Sequence, residues 1–176
     1  MKTTEVRPTV PSDLDSLGAA LLEVHALDGY PVEGADSPKD WVAVANPLGQ
    51  WTALLNQEPV GHAALMSVSA KDVAPRLLMD RDDIPLDRMA VLARVFVAPA
   101  ARGNRLARQL VSAAHVAANT MSRRLVLDVM RKDQSAIALY SSLGWEILGP
   151  FEYKYSMGAS APALAMAAPP QADWVR

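Results

Sequence analysis

Val97-Ala98-Pro99-Ala100-Ala101-Arg102-Gly103-Asn104-Arg105-Leu106-Ala107 is the stretch on which the fold turns. It continues an aliphatic run, Met89 to Val97, that alternates as a strand does: Val91, Ala93, Val95 and Val97 share one face, and Leu92, Arg94 and Phe96 the other. Pro99 ends that strand. Leu106, Leu110, Ala113, Ala114 and Ala117 then recur at helical spacing, so a helix opens directly after the basic turn. The first turn of a helix has outward amides and the positive end of the macrodipole, a pairing that suits phosphate. Arg102, Arg105 and Arg108 add formal charge, and Gly103, with no Cβ, lets a ligand approach the backbone. The competing reading is an ordinary loop whose arginines point into solvent. A nucleotide P-loop is excluded, because no glycine-lysine-serine/threonine ending is present.

Upstream, Val6 begins a short strand that stops at Pro8. Ser12 to Asp15 reads as a capping box, with Ser12 as N-cap, opening a first helix striped by Leu14, Leu17, Leu21 and Val24 and ending near Asp28-Gly29. Tyr30 to Gly34 is a loop. Ser37-Pro38 starts a second helix that runs to about Asn46. Gln50 to Asn56 and Pro59 to Val68 form a hairpin about a turn at Gln57-Glu58. Ser69 to Arg88 reads as an irregular insertion with one helical turn near Leu77 to Met79, and so long a connection is often functional. Downstream, Arg124 to Met130 is a strand, Ala136, Leu139, Tyr140 and Leu143 stripe a fourth helix stopped by Gly144, and Trp145 to Leu148 and Phe151 to Met157 close as two strands. The result is a mixed α/β sheet with helices on both faces, residues 1–158 forming one domain and 159–176 an Ala/Pro-rich tail. Trp174 near the end of that tail either docks or stays in solvent.

Composition narrows the function. The 176 residues suffice for one core, and 51% apolar with 20% charged residues is globular rather than disordered. A net charge of −2 and 6% aromatics argue against nucleic acid and against an anionic membrane surface. With no cysteine there is no disulfide, thiolate metal site or cysteine nucleophile, and His25, His62 and His115 lie too far apart for a short metal motif. The N-terminus lacks an apolar run, so a cytoplasmic protein without a bound metal is expected.

The Arg102 to Ala107 segment resembles the coenzyme A signature of the GNAT superfamily of N-acetyltransferases. It matches in Arg102, the following Gly103 and the closing Ala107, and departs at Arg105, where the family usually has a second glycine. A second match is Asp133-Gln134-Ser135-Ala136-Ile137-Ala138-Leu139-Tyr140, continuing through Leu143-Gly144-Trp145, with Asp133 where the family commonly has Asn. The resemblance spans roughly Val6 to Met157. It implies a mostly antiparallel central sheet of six to seven strands, acetyl-coenzyme A as cosubstrate, and an acceptor amine that attacks the thioester directly.

By the same resemblance, the backbone of Val95, Phe96 and Val97 receives the pantetheine arm. Arg102, Gly103, Asn104, Arg105, Leu106, Ala107, Arg108 and Asp133 contact the cofactor, and Tyr140 protonates the departing thiolate. The general base is not identified; His25, Asp28, Glu33 and Asp87 are candidates, each otherwise a solvated charge or a cap. Asp128 suits a local hydrogen bond, His62 a structural role, and His115 the helix surface. Acceptor choice falls to His25 to Gly34, to Ser69 to Arg88 and to the closing strands. Tyr30, Pro31 and Trp41 offer apolar surface there, and Asp28, Glu33, Asp82 and Asp83 suit a cationic acceptor or are plain surface acids. Many relatives of the resembled family dimerise, so the resemblance implies a homodimer. The rival readings are a GNAT fold that binds coenzyme A without turnover and a transferase of bulkier acyl groups.

Overall fold

The computed structural model describes residues 1–170. Its strands are β1 (Thr4–Pro8), β2 (Gly49–Leu55), β3 (Glu58–Met66), β4 (Met89–Val97), β5 (Arg124–Met130), β6 (Glu146–Ser156) and β7 (Ala159–Ala167). Its helices are α1 (Leu14–Asp28), α2 (Pro38–Val42), α3 (Ala74–Asp82), α4 (Leu106–Thr120) and α5 (Gln134–Ser142). The seven strands form one sheet in the order β1-β2-β3-β4-β5-β7-β6. β1/β2, β2/β3, β5/β7 and β6/β7 pair antiparallel, and β4/β5 is parallel. No helix among the described residues is long and apolar enough to cross a membrane.

Contacts divide the chain into two compact units, Met1–Met66 with Leu92–Ala117, and Ser67–Val91 with Ala118 onward. In the first, Leu17, Leu21 and Val24 of α1 are buried, as are Ala63, Ala64 and Leu65 of β3. The capping box expected at Ser12 is replaced by a buried carboxylate one residue on. Asp13 receives both terminal nitrogens of Arg7 at 2.7 and 2.8 Å, the Val10 amide at 3.0 Å and the Thr52 hydroxyl at 2.8 Å. Those donors hold its carboxyl at about 2, below the usual carboxylate range. α2 stops at Val42 rather than near Asn46. The hairpin turns at Asn56-Gln57, one residue early, because both adopt positive φ (51° and 75°), which Asn accepts more readily than most residues.

β4 does not keep a strict alternation. Met89 to Leu92 are all buried, Ala93 to Val95 are half-buried, and Phe96 and Val97 are buried again. The phase slips because Arg94 has φ 56°, a left-handed residue inside the strand. Gly61 of β3 permits the close approach beside it: a Cβ there would lie 2.9 Å from the Phe96 carbonyl oxygen.

In the second unit, Ser69 to Arg88 is more regular than its composition suggests. α3 spans nine residues, and Asp128 of β5 accepts the Val73 and Ala74 amides at 3.0 Å each, capping the helix from another strand. Leu78 of α3 is fully buried. The β4/β5 ladder pairs Met89, Ala90 and Val91 with Arg124, Leu125 and Val126.

The largest correction concerns the tail. Residues 159–167 are strand β7, inserted between β5 and β6, and the two closing strands expected at 145–157 are the single strand β6 with register shifts at Ile147/Gly149 and Lys154/Ser156. Pro162 does not break β7 because it lies at the end of the β5 ladder: it stands opposite Glu152 of β6, its carbonyl accepts the Arg131 amide at 2.8 Å, and the register with β5 starts at Ala163 opposite Met130. Trp174 lies outside the described residues.

Candidate functional site

The expected cofactor residues of the first unit lie on one continuous piece of chain. Val95, Phe96 and Val97 end β4, a 3₁₀ turn covers Pro99–Ala101, residues 102–105 form a bend, and α4 begins at Leu106. Two residues of the bend are left-handed: Gly103 at φ 80° and Arg105 at φ 60°. Arg105 therefore holds a conformation that favours glycine, the residue usual at that position in the resemblance. A Cβ built on Gly103 meets no heavy atom within 4 Å, so that side of the loop is open.

Side chains brace the loop from within. The Asn104 amide donates to the Ala101 carbonyl at 2.9 Å and to that of Arg102 at 3.3 Å. Arg102 reaches back to the Val97 carbonyl at 3.4 Å and forms an ion pair with Asp28 at the end of α1. That pair accounts for Asp28, which sequence reasoning held as a base candidate or an acid for a cationic acceptor. Leu106 is buried and anchors the helix start, Ala107 is half-buried, and Arg105 and Arg108 are exposed.

Beside this loop the same unit builds a polar and aromatic cluster around Arg94. The Gln50 side-chain nitrogen donates to the Val42 carbonyl and lies 2.8 Å from His62 Nε2, while His62 Nδ1 lies 2.8 Å from the Arg94 carbonyl. A carbonyl only accepts, so the proton sits on Nδ1 and Nε2 accepts from Gln50. Burial, first, then disfavours the imidazolium, which has no acceptor left at Nε2, and the ring is pushed down to about 4. His62 is thus structural, as expected, and it clamps the left-handed residue. The Arg94 guanidinium lies 5.1 Å from the Trp41 ring centroid and donates to the Trp41 carbonyl. Phe96 stacks on His62 at 5.7 Å, and Tyr30 meets Trp41 edge-on at 5.8 Å. No sequence signal marked Arg94, which read as an ordinary alternating strand residue.

The remaining candidates separate. His25 has a buried Nδ1 with no hydrogen-bond partner, and Glu33 and Asp87 are exposed. His115 is buried, not on the surface, because Val111, His115 and Ala118 widen the inward face of α4; burial lowers its proton affinity. Asp82 is held by Arg81 and Arg124.

In the second unit, Asp133 precedes α5 and Tyr140 lies on it. Lys132 sits 2.7 Å from Asp133. Tyr140 is buried, its ring 5.2 Å from that of Trp145. Burial, and then the charge of Asp133, raise the phenol above its usual value, so it carries its proton at neutral pH.

The model of the acetyltransferase (GNAT) family matches residues 19–145. Among solved structures, the chain is similar to NAA60 from Arabidopsis thaliana in complex with acetyl-CoA (18% identity, TM-score 0.72, covering 94% of this chain and 97% of that one). It is also similar to the ribosomal-protein-S18-alanine N-acetyltransferase from Escherichia coli (19% identity, TM-score 0.68, 95% and 94% covered). An N-acetyltransferase from Staphylococcus aureus Mu50 aligns at 18% identity and a TM-score of 0.69, covering 94% and 96%. Among curated proteins, no sequence matches this one.

Proposed function

We propose that this chain, which belongs to the acetyltransferase (GNAT) family, is an N-acetyltransferase that moves the acetyl group of acetyl-coenzyme A onto a primary amine. The observation that carries the reading is the left-handed backbone at Gly103 and Arg105 leading into α4. Such a bend turns successive amides toward one concave side, where the positive helix end adds to their pull on an anion. The pyrophosphate is assigned to that bend, with Arg102, Asn104, Arg105 and Arg108 around it and Asp133 as a further contact. The pantetheine arm runs along the backbone of Val95, Phe96 and Val97.

In the reaction, the amine lone pair attacks the thioester carbonyl carbon. Negative charge gathers on the carbonyl oxygen, and a backbone amide near Val97 stabilises it. The carbon–sulfur bond breaks, and the departing thiolate takes the Tyr140 phenolic proton. The proton lost from the new amide nitrogen leaves through water and restores the phenol. Tyr140 carries its proton at neutral pH, as a general acid must.

Thermal melting with acetyl-coenzyme A, desphospho-coenzyme A, ATP and no ligand tests the reading. Acetyl-coenzyme A at a hundredfold excess over its dissociation constant adds about 2.7 kcal/mol and raises the midpoint. Thiol release with an amine panel follows. No rise at millimolar acetyl-coenzyme A removes the cofactor site. A rise without thiol release from any amine leaves a coenzyme A-binding module in place of an enzyme.

A further inference from the structure

We propose that Arg94 binds a carboxylate on the acceptor, so that the amine acetylated is that of an amino acid-type molecule; this rests on the N-acetyltransferase reading above. Arg94 immediately precedes Val95 to Val97, the stretch assigned to the pantetheine arm and, near Val97, to the thioester oxygen, so it stands on the part of β4 that an acceptor would approach. Its position is built rather than incidental. A left-handed φ of 56° is costly for a non-glycine residue inside a strand, and the His62 and Gln50 chain fixes the carbonyl of that same residue. Strain maintained by a buried hydrogen-bond chain re-aims one side chain, which is what bulges near sites do.

The side chain so aimed is half-buried and carries a charge that no carboxylate among the described residues balances. Its contacts are the Trp41 carbonyl and the Trp41 ring face. One of five guanidinium N–H donors is used there, and the others form a planar fork that fits two carboxylate oxygens side by side. By contrast, Asp28 and Asp82, which sequence reasoning offered to a cationic acceptor, are both spent on arginines. The charge left to recruit a substrate on this strand is positive. The Trp41 ring that covers it packs in turn against Tyr30 and Phe96, an apolar neighbourhood in which an ion pair gains strength.

The test measures thiol release from acetyl-coenzyme A with the twenty amino acids, their primary amides and the matching decarboxylated amines. The ratio of kcat/KM for the best acid to that for its amide is compared among the parent protein, Arg94→Gln and Arg94→Lys. Acids are expected to exceed amides by on the order of tenfold to a hundredfold, the weight of a charge-assisted hydrogen-bond pair. Arg94→Gln brings the ratio near one through KM, and Arg94→Lys keeps part of it. A purely structural arginine would lower the melting midpoint and leave the ratio alone, which overturns the proposal. Equal turnover of acids and amides by the parent protein overturns it too, while leaving the acetyltransferase reading intact. Turnover of no amine, despite a midpoint raised by acetyl-coenzyme A, overturns it together with the enzyme. A midpoint that acetyl-coenzyme A does not move sinks the underlying cofactor site as well.

Discussion

Substituting Gly103 separates what the backbone demands from what the ligand demands. Its φ is 80°, and a Cβ built there has no heavy-atom neighbour within 4 Å. Gly103→Ala therefore meets no clash in the protein itself and pays only for the left-handed conformation, roughly 1–2 kcal/mol. The alanine also restricts the unfolded chain, which returns about 0.4–1 kcal/mol. The net loss is about 1 kcal/mol, or a melting midpoint lower by about 2–4 °C in a chain of this size. That strain is present with and without ligand, so it cancels from the dissociation constant. Any change in affinity reports crowding of the ligand by the new side chain. Gly103→Val puts a branched Cβ on the open side of the bend, where the pyrophosphate is assigned. Overpacking of about 1–3 kcal/mol predicts an affinity for acetyl-coenzyme A lower by about 5- to 150-fold. Isothermal titration on the folded variants reads the affinities and a melting scan reads the strain. A valine variant with the lowered midpoint and an unchanged dissociation constant would show that the pyrophosphate does not sit at this bend.

Tyr140→Phe removes the proton donor and keeps the ring against Trp145; turnover should fall by roughly 10²–10⁴ with little change in acetyl-coenzyme A affinity, and equal turnover would remove Tyr140 from the acid role. Acid should weaken the fold in two windows, read by denaturant titration from pH 7 to pH 2. The His62 pKa is lowered in the folded protein, so the unfolded chain binds the proton first; stability is full above about 6.5 and falls to about 4, by roughly 3 kcal/mol. Asp13, lowered to about 2, removes on the order of 2 kcal/mol more between about 4 and 2, and a flat profile across either range would contradict the assignment. Gly61→Ala places a Cβ 2.9 Å from the Phe96 carbonyl oxygen, so the midpoint should drop by several degrees, about 1–3 kcal/mol of overpacking, and an unchanged midpoint would refute the close approach.

The elements with strong local signals were legible in the sequence. Gly29 and Gly144 end their helices with φ 64° and 80°, as the glycine at each stop implies. The strand–turn–helix at 97–107 stands where the aliphatic run and the Leu106/Leu110 spacing put it. What stayed hidden depends on partners far along the chain. Asp13 reads as a helix-start residue until Arg7 and Thr52 close on it, and α3 has no recognisable N-cap because its cap, Asp128, comes from β5. Alanines and Pro162 made β7 look like a tail. Small residues fit between two neighbouring strands as well as they fit a linker, and only the register shows that the proline sits where the β5 ladder ends.

Two arginines at positive φ decide how the departures from the family pattern are weighed. Arg105 stands where the family usually has glycine, and composition alone counts that as a lost contact. The chain nevertheless holds φ 60° there, at a cost a glycine would not incur. A positive φ is what glycine adopts most cheaply, so on the proposed function Arg105 would supply at that cost the bend whose amides face the pyrophosphate. Arg94 poses the opposite case. No pattern asks for a special residue at that position, yet the strand is bent there, held by His62, and left with a cation that has no anionic partner among the described residues. A strained residue that the cofactor site does not require is better explained by the other substrate. On the proposed function, the same conformation would keep the pyrophosphate amides in place at Arg105 and, at Arg94, aim a cation at the acceptor.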